Sequence, residues 1–203
     1  TSIADAAFID NTTINSITIP KTVTSIGNQA FQNASALQTL TFEPESQLTT
    51  IGYYAIYGTA LTTITIPASV ISIGNDAFRQ SNSLETVVFE PGSQLTTIGM
   101  SVFRNLHSLT SITIPRSVTS IGSKALQDMH NATITVEAEN STFTAVDNVL
   151  FKLNNNGVKT ELVAYPAKNT DTDYEVPSTV TLIQDGAFYG ASDSLTTIIF
   201  TDG

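Results

Sequence analysis

Two histidines, His107 and His130, lie 23 residues apart and are the only imidazoles in this chain of 203 residues. Each follows an apolar residue, Phe103 or Leu126, by four positions, so in a repeated chain they would stack on neighbouring coils. Paired imidazoles could begin a transition-metal site, but zinc takes three or four protein ligands. No third ligand stands out beside them, so both are expected to be surface residues, with no metal. Carboxylates are the next candidates: Glu43 and Glu90 each precede a proline, at equivalent corners two coils apart, where solvent should screen them. Nothing sets a Ser beside a His and an acid, and no Gly-rich loop leads into a long helix. The chain is expected not to be an enzyme and to use no cofactor.

A more suggestive set is polar but not reactive. Ser16, Thr39, Thr63, Thr86, Ser111, Thr133 and Thr197 each precede a central aliphatic residue, and Thr18, Thr41, Thr65, Val88, Thr113, Thr135 and Ile199 follow it. Strand side chains alternate between two faces, so all of these would point outward. With strands about 4.8 Å apart they would form two rows of hydroxyls and methyls. Thr39, Thr41, Thr63, Thr65, Thr86, Ser111, Thr113, Thr133 and Thr135 are therefore the candidate binding residues. Three readings fit the rows: a strand face on which Thr simply stacks well, an extended binding face for protein or glycan, and an ice-binding face. Thr-x-Thr patterns such as Thr39-Leu40-Thr41 suggest the last, and Val88, Glu175 and Ile199 spoil it.

These positions are held by a repeat. Ile-Gly-x-x-Ala-Phe occurs at Ile26–Phe31 and Ile73–Phe78, with looser copies beginning at Ile3, Ile51, Ile98, Ile121, Val146 and Ile183. The steps between copies are 23, 25, 22, 25, 23, 25 and 37 residues, a period that signals a solenoid. In phase with it runs a strand motif: Leu37-x-x-Leu40-x-Phe42, Leu61-x-x-Ile64-x-Ile66, Leu84-x-x-Val87-x-Phe89, Leu109-x-x-Ile112-x-Ile114 and Leu195-x-x-Ile198-x-Phe200. Pro20, Pro44, Pro67, Pro91, Pro115 and Pro177 follow and, lacking an N–H, mark where each strand leaves its ladder. Each coil thus reads as strand, proline corner, second apolar edge, and a short helical or irregular turn carrying Ala-Phe. Phe8, Phe31, Ile56, Phe78, Phe103, Leu126, Phe151 and Phe188 are expected to form one interior spine.

The combined pattern Leu-x-x-Ile-x-Ile-Pro-x-x-Val-x-x-Ile-Gly-x-x-Ala-Phe resembles the repeat of BspA-like leucine-rich-repeat proteins over nearly all of residues 1–203. The resemblance implies a right-handed leucine-rich-repeat solenoid, mainly β, with a parallel strand ladder. It also implies an extracellular or cell-surface location and a role in adhesion. Family repeats often carry Cys or Asn three residues after the Phe, whereas this chain has Ala34, Ser81, Leu106 and Ala191, so no ladder of that type is expected.

Residues 137–173 break the spacing and read as an irregular insertion. Val146–Phe151 keeps the hexapeptide's size pattern, and Asn154-Asn155-Asn156-Gly157 between two apolar runs reads as a β-hairpin. Absence of Cys excludes disulfides and thiol chemistry, and no apolar run reaches the 18 residues of a membrane span. A net charge of −10 with eight Lys and Arg, of which Arg79, Arg104, Arg116 and Lys124 fall on separate coils, argues against a phosphate-binding surface, so no nucleic acid is expected as a partner. The chain opens within a coil and closes after a strand. Residues 1–203 are therefore expected to be one solenoid cut from a longer array, with ends able to self-associate. The expected function is a non-catalytic surface or secreted binding module for protein or glycan. A structural spacer or self-assembling array is the alternative, and ice binding a distant third.

Overall fold

The structure, a computed structural model, describes residues 1–201. Each regular coil contributes a two-residue strand and a four-residue strand. The short ones are β1 (Ser2–Ile3), β3 (Ser25–Ile26), β5 (Thr50–Ile51), β7 (Ser72–Ile73), β9 (Thr97–Ile98) and β11 (Ser120–Ile121). They pair in sequence as one parallel six-stranded sheet. The longer ones are β2 (Ser16–Ile19), β4 (Thr39–Phe42), β6 (Thr63–Ile66), β8 (Thr86–Phe89), β10 (Ser111–Ile114) and β12 (Thr133–Val136). Together they form the second, polar-faced side of a parallel-strand solenoid.

The glycine of the repeat is required by close approach, not by its dihedral angles. A Cβ on Gly74 would lie 2.7 Å from backbone atoms of both Gly52 and Tyr53 in the preceding coil. Only a residue without a side chain lets successive coils pass at ladder distance there. The segment after it is an irregular turn, and no helix occurs among the described residues. Two left-handed residues per coil explain why: Gln29 and Asn33 have φ of 58° and 55°, and Ser101 and Asn105 have 54° and 63°. Left-handed backbone costs about 1–2 kcal/mol per L-residue. It is offset by turning alternate N–H groups toward the next coil: Gln29, Phe31 and Asn33 donate to the carbonyls of Tyr53, Ala55 and Tyr57 at 2.7–2.8 Å.

Inside the coils the apolar repeat positions make one continuous core, with Phe31, Ile56, Phe78, Phe103 and Leu126 buried in line. Phe78 and Phe103 stack with centroids 5.7 Å apart, and Phe8, half-buried, stacks on Phe31 at 5.1 Å. A side-chain ladder that sequence analysis did not foresee runs two residues after the repeat isoleucine. Asp5 accepts from the Asn28 N–H (2.7 Å), Asn28 from the Tyr53 N–H (3.1 Å), and Asn75 from the Met100 N–H (2.9 Å). Three residues after the spine position, the buried hydroxyls of Thr59 and Ser81 bond each other at 3.1 Å.

The insertion differs from its sequence reading. Asn154–Gly157 does turn a hairpin, between β14 (Val149–Leu153) and β15 (Lys159–Ala164). A further strand, β13 (Phe143–Val146), pairs antiparallel with β14, so the element is a three-stranded meander. Asp147 and Asn148, with φ of 49° and 68°, make the two-residue turn joining β13 to β14. Val146–Phe151 is therefore a hairpin and not a repeat hexapeptide, although its residue sizes imitate one. The true next coil is set by β15, which pairs in parallel with β17 (Leu182–Ile183), placing Leu162 opposite Ile183. Tyr165 then takes the spine position: its N–H donates to the Ala187 carbonyl, as Phe103 does to Ala125, and its ring stacks on Phe188 at 5.1 Å. Phe151 and Phe188 belong with Val149, Leu162, Tyr165 and Ala187 to a second cluster, so the expected single spine is divided. The remaining strands, β16 (Asp173–Val176) and β18 (Thr197–Phe200), pair in parallel.

Candidate functional site: the Ser/Thr face

Alternation along β4, β6, β8 and β10 turns Leu40, Ile64, Val87 and Ile112 into the core and leaves Thr39, Thr41, Thr63, Thr65, Thr86, Ser111 and Thr113 exposed. Thr135 is exposed too, whereas Thr133 is half-buried and its hydroxyl accepts from the Lys168 ammonium at 2.7 Å. Val88 and Ile199 are the apolar breaks in the outer row, 44% and 42% exposed. Cross-strand hydroxyl pairs form within adjacent coils, Thr18 with Thr41 at 3.0 Å and Thr113 with Thr135 at 2.9 Å.

The rows are not continuous, and the interruptions are regular. β2 and β4 pair through four residues, as do β6 with β8 and β10 with β12. No ladder joins β4 to β6, and β8 meets β10 only at Thr86 and Ser111. Each opening follows a longer, 25-residue coil and lies beside a phenylalanine, Phe42 or Phe89, where β2, β6 and β10 end in isoleucine. The first opening is a groove of about 280 Å³ among Thr39, Thr41, Phe42, Thr63, Thr65 and Glu90. The second, about 360 Å³, lies among Thr86, Val88, Phe89, Ser111, Thr113 and Glu137. Counterparts in the two grooves are 47 or 48 residues apart, as Thr39 and Thr86 or Thr63 and Ser111 are. Uneven strand spacing of this kind defeats a lattice match and disfavours the ice-binding reading.

The carboxylates at the groove ends are fixed. Glu90 accepts the Ala68 N–H and Glu137 the Arg116 N–H, both at 2.9 Å, and Glu43 accepts the Lys21 N–H at 3.0 Å. Sequence reasoning placed Glu43 and Glu90 at screened corners. The clue it lacked was that the residue after Pro in the preceding coil has an N–H free to be capped. Unpaired edges of β4 and β6 leave backbone donors and acceptors facing the groove, which polar ligands can satisfy.

The two histidines do stack on neighbouring coils, with centroids 4.9 Å apart. Asp128, which sequence reasoning overlooked, lies between them. Among the titrating groups, Tyr165 and Tyr174 are both pushed up to about 12, chiefly by burial, with a hydrogen bond to the Asp171 carboxylate adding to the effect at Tyr165. Both serve the second core cluster. Among the described residues no helix is long and apolar enough to cross a membrane.

Comparison with known proteins agrees with this architecture. Residues 1–133 match the family described as BspA type leucine rich repeat region, in six copies. No curated protein matches the chain. Among solved structures, the chain is similar to the pneumococcal vaccine antigen PcpA, at 31% identity and a TM-score of 0.84, over 99% of this chain and 52% of that one. It is similar also to a leucine rich cell surface protein from Faecalibacterium prausnitzii, at 29% identity and a TM-score of 0.69, over 99% and 61%. A leucine-rich repeat protein from Eubacterium ventriosum matches at 28% and 0.63, over 98% and 47%. The chain thus spans about half to three-fifths of the length of these structures. With strand ladder, glycine contacts and spine all repeating in the same phase, the chain belongs to the BspA-type leucine-rich-repeat family.

Proposed function

We propose that the chain is a non-catalytic recognition module displayed at a cell surface, and that its Ser/Thr face binds an extended, basic segment of a partner protein. The observation that carries this is the pair of equivalent grooves, each lined by hydroxyls and a phenylalanine and closed by a held carboxylate. Two coils at about 4.8 Å or more each set the grooves at least about 10 Å apart. An extended strand advances that far in about three residues, so one peptide can place side chains in both. Carboxylates at Glu90 and Glu137, on a chain of net charge −10, favour Lys or Arg there. Outward positions of β4, β6, β8, β10 and β12 carry no aromatic ring, and the groove phenylalanines Phe42 and Phe89 are packed against the core and only partly exposed, which favours protein over glycan. The surface location rests on the family and on the names of the similar structures.

Fluorescence anisotropy with extended Lys- and Thr-rich peptides tests the reading, alongside a glycan array. Binding should vanish in a variant carrying Thr65→Lys and Thr113→Lys, whose folded state circular dichroism would confirm. Glycan binding without peptide binding, or peptide binding that survives both substitutions, would overturn it.

A further inference from the structure

His107, Asp128 and His130 bring three metal-ligating side chains of complementary type to one point on the surface. Asp128 Oδ1 lies 3.1 Å from His130 Nε2, and Asp128 Oδ2 lies 3.8 Å from His107 Nε2. All three ligand atoms fall within 4.8 Å of one another. Ligands bound tetrahedrally at about 2.0–2.1 Å stand about 3.3 Å apart, so the stacked imidazoles must close on an ion by up to about 1.5 Å, which movement of the His107 ring can supply. The His107 side chain is 45% exposed.

The repeat builds this arrangement from backbone geometry. Asp128 occupies the second left-handed position of its coil, with φ of 62°, where Asn33 and Asn105 stand in other coils. That conformation sends its carboxylate across the stack, and Gly190 of the following coil approaches Asp128 Oδ1 so closely that an added Cβ would lie only 3.1 Å away. The Asp128 side chain is consequently 19% exposed and has limited freedom. Asn131 donates to the His107 carbonyl at 3.1 Å and ties the two turns together beneath the imidazoles.

We infer that His107, Asp128 and His130 bind a borderline divalent transition ion of the zinc class, joining two adjacent coils. Two imidazoles and one carboxylate suit Zn²⁺, Ni²⁺ or Cu²⁺, whereas Mg²⁺ and Ca²⁺ prefer all-oxygen sites. Three protein ligands leave the remaining position open to water. No hydrogen bond orients either imidazole's Nδ1 among the described residues, and supporting partners of that kind contribute about 10–100-fold to affinity. The site is therefore weaker than a structural zinc centre and loads reversibly.

The test uses the 203-residue chain without an affinity tag, stripped with chelator and titrated calorimetrically with ZnCl₂ and, separately, MgCl₂. Zn²⁺ should bind one to one, raise the melting temperature by on the order of 5 °C near saturation, and be displaced by chelator. Mg²⁺ should give no binding heat. Asp128→Asn keeps a residue that tolerates the left-handed backbone and should weaken Zn²⁺ at least tenfold, as should His107→Ala and His130→Ala. Absence of Zn²⁺ binding at millimolar concentration would overturn the inference. So would binding unchanged in the double histidine variant, since no other imidazole exists in the chain. Loss in His130→Ala but not in His107→Ala would overturn the cross-coil arrangement.

Discussion

Substituting Gly74 by Ala should break the fold locally through contact alone. The new Cβ would sit 2.7 Å from backbone atoms of Gly52 and Tyr53, neither of which is a flexible side-chain end. Restoring an ordinary contact of 3.4 Å requires the two coils to separate by roughly 0.7 Å. The Gly74 N–H to Ile51 carbonyl bond, now 2.8 Å, and the Tyr54 N–H to Asn75 carbonyl bond, now 2.9 Å, would then reach the limit of useful length. Overpacking costs about 1–3 kcal/mol and each of the two weakened hydrogen bonds about 1 kcal/mol, so a loss of about 3–5 kcal/mol is expected. Gly92 supplies the contrast, because it has φ of +78° and nothing within 4 Å of its would-be Cβ. Gly92→Ala should cost only the left-handed penalty, about 1–2 kcal/mol, and Gly92→Asn less. Urea unfolding followed by circular dichroism measures the global effect, and amide exchange at Gly74 and Tyr54 the local opening. A loss under 1 kcal/mol for Gly74→Ala, or equal losses at Gly74 and Gly92, would refute the argument that close approach makes this glycine necessary.

Other outcomes follow from the same geometry. Phe78→Ala, in a fully buried stack with Phe103, should cost about 3–5 kcal/mol in urea unfolding. Tyr165→Ala should accelerate amide exchange around Ala187 while leaving Phe78 protected, because the two belong to separate clusters. Stability should fall as pH rises from 10 toward 12: unfolded phenols lose their protons near 10, while folded Tyr165 and Tyr174 hold theirs to about 12. Tyr165, almost fully buried, accounts for about 2–3 kcal/mol of that loss. Alkaline melting curves check it, and Tyr165→Phe should flatten the decline. Ile198, Ile199 and Phe200 on β18 are exposed, so the purified chain should self-associate as concentration rises, and Phe200→Lys should suppress the light scattering.

The sequence alone determined the array. Ile-Gly-x-x-Ala-Phe and Leu-x-x-Leu-x-Leu recur because each coil must present the same atoms to its neighbours, and that demand is local enough to read from spacing. It identified the outward Ser and Thr residues too, since alternation along a strand requires no knowledge of the partner strand. Tertiary structure decided whatever depends on which coil lies beside which. Val146–Phe151 copies the sizes of a repeat, but only pairing of β15 with β17 gives the spine position to Tyr165. Composition could not show that β4 and β6 stand apart, because pairing is a relation between strands; the 25-residue coils and the terminal Phe42 and Phe89 acquire that meaning only once the openings are located. Asp128 escaped notice for the same reason. Its meaning comes from a left-handed backbone that turns its carboxylate toward a histidine 21 residues earlier, a direction that no spacing records.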